Sequence, residues 1–258
     1  MDKYKKVAIS IAKEAGEIMK RYFAIGMSAD WKENNTPVTV ADKEINAMVI
    51  EKIKASFPSH GIKGEEASNY NIDDEYLWVC DPIDGTIPYS HAIPTSVFSL
   101  ALVKNGEPIL GVVYDPFMDR MFFAQIGKGA FMNDQKIMVK TRKNDARKMV
   151  AAEWWVDAPF QLPTLFEDLS RSNFIVSVPV CIVYSAMMVA AGEFVGAIFC
   201  GETAHDIAAV KIIVEEAGGK VTDLFNKEQL YNDKIKGAII SNGVMHDKLF
   251  DITQKSSR

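Results

Sequence analysis

The segment 81–86, Asp-Pro-Ile-Asp-Gly-Thr, carries the residue types in this chain that are best suited to chemistry. Its carboxylates, Asp81 and Asp84, stand three residues apart on a turn shaped by proline and glycine. The apolar residues 77–80 predict a buried strand that ends at these acids. Oxygen ligands suit a hard cation such as Mg²⁺, which binds one or two carboxylates together with a substrate phosphate. Gly85 allows backbone N–H groups to approach an anion.

Three further groups of acids lie beside predicted breaks in the chain: Asp42, the pair Glu65-Glu66, and Asp206. Each has a plainer explanation. Asp42 is predicted to cap a helix, the two glutamates to be solvated, and Asp206 to sit in a first helical turn, where the helix dipole favours an acid. A solvated surface turn is likewise the plainer explanation of the segment 81–86. His205 fits a packed or surface histidine better than a ligand.

The elements that must position these acids follow from hydrophobic periodicity. Helices are predicted over 3–23, from Val40 to just before Phe57, and over 183–191, 204–217 and 244–252. Strands are predicted over 77–80, 97–103, 109–114, 121–125, 195–199, 220–222 and 238–241, and a short strand with a loop over 61–66. Residues 143–173 fit neither pattern. Helices and strands mix without a regular repeat, which indicates a layered α/β fold with mixed α+β character.

The bulk properties exclude several classes of protein. The 258 residues allow one large domain or two small ones, and 48% apolar with 24% charged residues is ordinary for a globular protein. A net charge of -5 argues against nucleic acid as the main partner. The three cysteines form no disulfide framework. No apolar run suggests a signal peptide or a membrane span, so we expect a cytoplasmic protein with no membrane partner.

The chain resembles the inositol monophosphatase family of metal-dependent phosphatases. The resemblance rests on the motifs at 64–66, 81–86 and 205–209, with support from 38–42 and 127–133. Their order and spacing fit from the first helix to the last. The resemblance implies a layered αβαβα sandwich of the inositol monophosphatase and fructose-1,6-bisphosphatase type. It also implies an N-terminal part, 1–140, with most metal ligands, and a C-terminal part, 141–258, with Asp206 and the substrate pocket.

The resemblance further implies a role for each motif residue. The implied metal ligands are Glu65, Asp81, the carbonyl of Ile83, Asp84 and Asp206, with Asp81 shared between two ions. The implied catalytic residues are Asp42, Thr86 and Glu65, of which Asp42 and Thr86 would orient or deprotonate the attacking water. The implied substrate contacts are Gly85, Thr86, Asp84 and Asp206, with the backbone of Gly85 and Thr86 on the phosphate. Glu66 would lie just outside the metal ligands.

The activity implied is Mg²⁺-dependent hydrolysis of a small soluble phosphate by water, with inositol monophosphate as the first candidate. Two departures concern the substrate. Phe199 falls where inositol-specific members have a hydroxyl-binding glutamate, although a gap would move Glu202 there, and the apolar run 180–183 falls on the sugar-pocket loop. An apolar wall leaves sugar hydroxyls unpaired. Fructose-1,6-bisphosphatase, histidinol-phosphatase and 3'(2'),5'-bisphosphate nucleotidase activities are therefore alternatives.

The resemblance also implies a homodimer. The apolar segment 176–188 either supplies such a contact or is buried within the monomer. A function of another class, a non-catalytic interaction protein that responds to cations, is the remaining alternative. The completeness of the acid set argues against it, because a protein freed from catalysis need not keep every ligand.

Overall fold

The structure, a computed structural model, describes residues 1–26, 29–31, 37–70, 74–140, 148–153, 158–159 and 161–256. Its helices are α1 (Asp2–Tyr22), α2 (Val40–Ser56), α3 (Thr86–Ser90), α4 (Leu162–Arg171), α5 (Ile182–Ala190), α6 (Ala204–Glu216) and α7 (His246–Lys255). Among the residues described, no helix is both long enough and apolar enough to cross a bilayer.

The strands form a short ribbon and two larger sheets. The ribbon pairs β1 (Asp30–Trp31) with β2 (Pro37–Val38). The first sheet, in the order β10-β9-β8-β7-β6-β5-β3-β4, contains β3 (Gly61–Gly64), β4 (Ser68–Asn69), β5 (Tyr76–Asp84), β6 (Val97–Lys104), β7 (Glu107–Asp115), β8 (Arg120–Gln125), β9 (Ala130–Met132) and β10 (Gln135–Ile137). The second, in the order β12-β11-β13-β15-β14, contains β11 (Lys148–Ala152), β12 (Phe174–Ser177), β13 (Gly196–Phe199), β14 (Lys220–Thr222) and β15 (Ala238–Ser241).

Alternation along the strands builds five layers, because successive side chains point to opposite faces of a sheet. In β5, Trp78 packs against α1 and α2, whereas Val79 faces the central core with α5 and α6. In the second sheet, Ala197 joins the same central core, whereas Ile198 packs with α4 and α7. The layers therefore run α1/α2, first sheet, α5/α6, second sheet, α4/α7, which confirms the αβαβα sandwich.

Along the chain, the first sheet ends and the second sheet begins near the predicted boundary between residues 140 and 141. The last strand of the first sheet is β10, and the second sheet begins with β11. The central core nevertheless draws buried side chains from both sheets and from α5 and α6 between them. The division into parts 1–140 and 141–258 therefore stays a prediction. The two parts share this central core.

The predicted elements agree with the structure to within a few residues, with one instructive difference in β5. That strand does not end before the acids but continues through them, pairing Asp81 with Ser99 and Asp84 with Val97. Only one partner residue lies opposite the two between the acids, so the strand bulges there. A bulge is one of the few places where a sheet tolerates a proline such as Pro82. The bulge therefore brings two carboxylates together on a rigid element.

Candidate metal centre

The bulge in β5 fixes the local geometry of the acid segment. The N–H of Ile83 donates to Asp81 Oδ1 over 3.0 Å, and the hydroxyl of Thr86 donates to the Ile83 carbonyl over 3.0 Å. Gly85 has φ +83°, and a Cβ there would lie 3.0 Å from the Cβ of Cys181. Glycine is thus required for both the backbone conformation and the close approach of the α5 end. These contacts hold the segment in a single conformation.

Asp42 caps α2 and also belongs to the acid cluster. Thr39 and Asp42 form a capping box, in which Asp42 Oδ2 accepts from the N–H of Thr39 at 2.7 Å and from its hydroxyl at 2.5 Å. The Asp42 side chain is fully buried, and its Oδ1 has no hydrogen-bond partner among the described residues. The capping explanation is therefore correct for one oxygen, whereas the other points to a ligand that the protein itself does not supply.

Asp206 arrives from the other side of the site, in the first turn of α6 as predicted. Its Oδ2 accepts a hydrogen bond from the hydroxyl of Thr203, the residue that precedes the helix. His205 Nε2 lies 3.8 Å from the same oxygen. The start of α6 thus presents a carboxylate and an imidazole towards the acids of the first sheet.

The structure brings the predicted acids of the first sheet and α6 into three overlapping groups. Within each group the potential ligand atoms lie within 4.8 Å of one another. The groups are Asp81, Asp84 and Asp206; Glu65, Asp81 and His205; and Asp42, Glu65 and Glu66. His205, which the sequence favoured as a packed or surface residue, therefore joins the cluster. Ile83, Gly85 and Thr86 adjoin it on the bulged segment.

The carboxylates destabilise one another's charge. Burial, reinforced by Asp206, raises the pKa of Asp84 to about 7, and burial, reinforced by Glu65 and Glu66, raises the pKa of Asp42 to about 7. Burial and the charge of Glu65 raise the pKa of Asp81 well above its usual range. A divalent cation relieves such repulsion, and the donors are mostly carboxylate oxygens, which Mg²⁺ prefers. The residues present therefore fit a magnesium ion.

The start of α5 orients Asp84. Asp84 Oδ2 accepts from the thiol of Cys181 at 2.7 Å and from the N–H of Val183 at 2.7 Å. Burial, together with the charge of Asp84, raises the pKa of the Cys181 thiol well above its usual range, so the thiol keeps its proton and remains a donor. Both contacts use the same oxygen, and the backbone of Tyr184 donates a further hydrogen bond to this carboxylate.

The sequence analysis missed one acid of this site, Glu153. It follows β11 directly, and its carboxylate accepts a hydrogen bond from the N–H of Cys181. The charges of Asp84 and Asp206 act on it. Glu153 lies within 143–173, where no periodic pattern was found, and it belongs to none of the quoted motifs. Only an acid directly after a short apolar run could have drawn attention to it.

The residues that the sequence analysis discussed for the substrate pocket differ in their exposure to solvent. Phe199 is 4% exposed and lies in the central core, and Glu202 is on the surface with its Oε2 3.0 Å from Lys234 Nζ. Residues 181–183 are buried, so the segment 182–188 is largely core of the monomer. Val180 is 44% exposed and has φ +56°. Of the apolar run 180–183, Val180 alone is therefore exposed beside the site.

Comparisons with known proteins agree with this geometry. The sequence description of the inositol monophosphatase family matches residues 1–258. A fructose-1,6-bisphosphatase/inositol-1-monophosphatase of Thermotoga maritima is 35% identical over 218 residues, covering 84% of this chain and 82% of that protein. A histidinol-phosphatase of Chlorobaculum parvum is 31% identical, covering 93% of this chain and 92% of that protein.

A solved structure shares the fold over almost its whole length. It is an IMPase/NADP phosphatase complexed with Mg²⁺ and phosphate, with a TM-score of 0.86 and 26% identity, covering 97% of this chain and 95% of that one. The similarity thus extends to a phosphatase that was crystallised with the ion that the acid cluster fits.

Proposed function

The chain belongs to the inositol monophosphatase family and is a phosphoric monoester hydrolase, and from this premise we propose that it hydrolyses a small soluble phosphate with the support of Mg²⁺. One observation carries the proposal: carboxylates of the first sheet and of α6, Asp81, Asp84 and Asp206, converge to within 4.8 Å. Such a convergence of buried acids is costly unless a cation neutralises it.

We propose as metal ligands acids of this cluster together with one carbonyl on the bulged segment. The proposed metal ligands are Glu65, Asp81, the carbonyl of Ile83, Asp84 and Asp206. His205 lies beside Glu65 and Asp81 and fits a neighbouring position better, because Mg²⁺ favours oxygen donors. When bound, Mg²⁺ would acidify water and offset charge on the phosphate and the leaving oxygen.

The protein's own groups position the water and the phosphate. The Asp42 carboxylate groups with Glu65 and Glu66, and its buried Oδ1 has no partner in the described chain. Asp42 is therefore proposed to accept a proton from the attacking water. Thr86 is proposed to orient the same water. The N–H groups of Gly85 and Thr86, at the start of α3, are proposed to bind phosphate oxygens. Positioning and charge compensation are the main sources of catalysis in phosphoryl transfer.

For the substrate, inositol monophosphate is the first candidate. The relatives include inositol monophosphatases and a protein named for both fructose 1,6-bisphosphate and inositol 1-phosphate, which supports a small polyol phosphate. Histidinol phosphate is the second candidate because of the Chlorobaculum parvum relative and because Phe199 gives the pocket no hydroxyl-binding acid. A bisphosphate nucleotidase activity is a third possibility on this fold.

We further propose a cytoplasmic homodimer. The described chain contains no helix able to span a bilayer, which is compatible with that location. The segment 176–188 supplies little to a dimer contact, since most of 182–188 is buried in the monomer, and exposed Val178 is its best remaining candidate.

The test is phosphate release from purified full-length protein, stripped of metal with EDTA and then assayed with and without Mg²⁺. Its panel contains inositol 1-phosphate, fructose 1,6-bisphosphate, histidinol phosphate and 3'-phosphoadenosine 5'-phosphate. We expect strong release from one of the first three in Mg²⁺ alone. Release that is equal in EDTA and in Mg²⁺ contradicts the metal-dependent mechanism. No release from any of the four, with Mg²⁺ binding intact, favours a non-catalytic role.

A further inference from the structure

Glu153 is a half-buried acid with a buried carboxylate oxygen, Oε1, and the proposed mechanism does not use it. Its backbone N–H donates to the Ile198 carbonyl at 3.1 Å, which places it beside the end of β13, and its own carbonyl accepts from the Cys200 thiol at 3.6 Å. These contacts fix the residue where the parallel strands β11 and β13 end. Its position therefore follows from strand pairing and does not depend on the side chain.

The carboxylate of Glu153 extends from these strand ends towards the proposed metal centre. It accepts from the Cys181 N–H, and its charge interacts with those of Asp84 and Asp206. Its Oε1 is buried and has no hydrogen-bond partner within the described part of the chain. Among the described residues, the charged groups that act on it are the acids Asp84 and Asp206. A carboxylate ion in this position lacks the opposite charge and the full set of hydrogen bonds that stabilise a buried charge.

A structural explanation competes with a functional one. Glu153 could serve only to satisfy the N–H of Cys181 at the start of α5, where the helix dipole also favours an acid. That role needs an acceptor oxygen and no net charge, so a glutamine would perform it equally well. It also uses one oxygen of the carboxylate and leaves Oε1 unexplained.

We propose that Glu153 is a positioning residue for the cation held by Asp84 and Asp206, lying outside the direct ligands and strengthening cation binding through its negative charge. This inference rests on the proposed function. The geometry favours an outer position, because Glu153 is absent from the groups of acids whose ligand atoms lie within 4.8 Å of one another. Outer partners of this kind orient ligands and raise the affinity for the metal.

The experiment measures Mg²⁺ binding by isothermal titration calorimetry on the full chain, without substrate. Wild type is compared with Glu153→Gln, which keeps the shape and the acceptor for Cys181 but removes the charge. We expect the Kd for Mg²⁺ to rise about 10-fold in Glu153→Gln, as for other outer partners of metal sites. Glu153→Asp, which keeps the charge, should bind more tightly than Glu153→Gln. The matched control is Glu193→Gln, an exposed glutamate paired with Lys140, which should leave the Kd unchanged.

The outcomes separate this inference from the proposed function. If wild type binds no Mg²⁺, both are overturned. If wild type binds Mg²⁺ and Glu153→Gln binds it within twofold, the inference fails and the proposed function stands. Metal-free Glu153→Gln should melt at or above the wild-type temperature, because it buries no uncompensated charge. If the Glu153→Gln protein does not fold, the Glu153 carboxylate is needed for the fold itself, and the inference is overturned.

Discussion

The two sides of the site differ in how closely they follow the family's motifs. On the side of the first sheet, Asp42 and Asp81 are fixed by local contacts: a capping box holds Asp42, and a bulge with its own hydrogen bonds holds Asp81. On the side of the second sheet, Phe199 is in the core and Val180 has a left-handed backbone conformation. Glu153 Oε1 is buried there without a hydrogen-bond partner among the described residues. The first side is locally specified, whereas the second depends on long-range packing.

This difference separates the type of reaction from the choice of substrate. The first side and Asp206 hold the proposed metal ligands, and these residues match the family's motifs. The second side would face the alcohol part of the substrate, and there the chain departs from inositol-specific members. We therefore expect substitutions on the first side to change turnover and those on the second side to change affinity, selectivity or stability.

The largest effect is expected at Asp84, where the two sides meet. Asp84→Asn removes a charge from the proposed ligands while keeping an acceptor for Cys181 and Val183. Phosphate release should fall by about 10³-fold or more, because several kcal/mol of charge stabilisation are lost. The measurement is kcat at saturating Mg²⁺, with circular dichroism to verify the fold.

The matched control for Asp84→Asn is Asp247→Asn, an exposed acid in the first turn of α7. It should retain wild-type turnover. An Asp84→Asn protein that turns over substrate at the normal rate contradicts the assignment of the whole cluster.

A smaller effect on activity is expected at Cys181, which contacts Asp84 from the second side. Cys181→Ala removes the thiol donor at 2.7 Å from Asp84 Oδ2 and should lower kcat/KM about 10-fold, the usual cost of a hydrogen bond to a charged group. Cys181→Ser retains a donor and should recover most of that loss. Wild-type activity in both variants would show that the backbone donors Val183 and Tyr184 orient Asp84 without the thiol.

Next in size is a pH effect remote from the carboxylates. His246 is 1% exposed, with its ring nitrogens 3.0 Å from Thr222 Oγ1 and 2.9 Å from Ser241 Oγ, and burial lowers its pKa to about 4. Its stabilising contribution is complete above pH 6.5 and is lost as the pH falls towards 4, because the unfolded chain then binds the proton more readily. His246→Asn should therefore destabilise the protein more at pH 7 than at pH 5, with a difference of about 1 kcal/mol.

Urea unfolding of both proteins at the two pH values, in EDTA, measures this difference. The proposed metal ligands are common to both proteins, so their own titration cancels in the comparison. A destabilisation that is larger at pH 5 reverses the sign and rules out a neutral buried His246.

The smallest effect is expected at Val180. A β-branched residue at φ +56° is strained, and glycine relieves that strain. Val180→Gly should stabilise the protein by about 0.5 kcal/mol after the entropic cost of glycine is included. Val178→Gly is the control, since Val178 is also exposed but has no positive φ, and it should destabilise. If both variants destabilise, Val180 contributes packing that outweighs its strain.

The sequence predicted the parts of the fold that depend on local patterns. The capping of α2, the strands β6 and β7 and the position of Asp206 in α6 follow from neighbours in the chain, and the structure contains them. The grouping of the acids was predictable for the same reason, because they lie at strand and helix ends inside short motifs; their roles stay a prediction.

The rest depends on pairing between distant segments. Glu153 approaches Asp84 only because β11 pairs in parallel with β12 and β13, and because the two sheets enclose α5. Phe199 was expected to line a pocket, but the alternation of β13 directs it into the central core. His205 joined the cluster because α6 begins opposite the bulge. No local pattern encodes these contacts.

The proposed metal centre is tested most directly by a crystal grown from metal-stripped protein and soaked with Mn²⁺, whose anomalous scattering marks its position without reference to any assay. We predict anomalous peaks bounded by Glu65, Asp81, Asp84 and Asp206, with loss of at least one peak in Asp84→Asn crystals. Anomalous peaks elsewhere, with none among these four acids, would contradict the assignment of these residues as metal ligands.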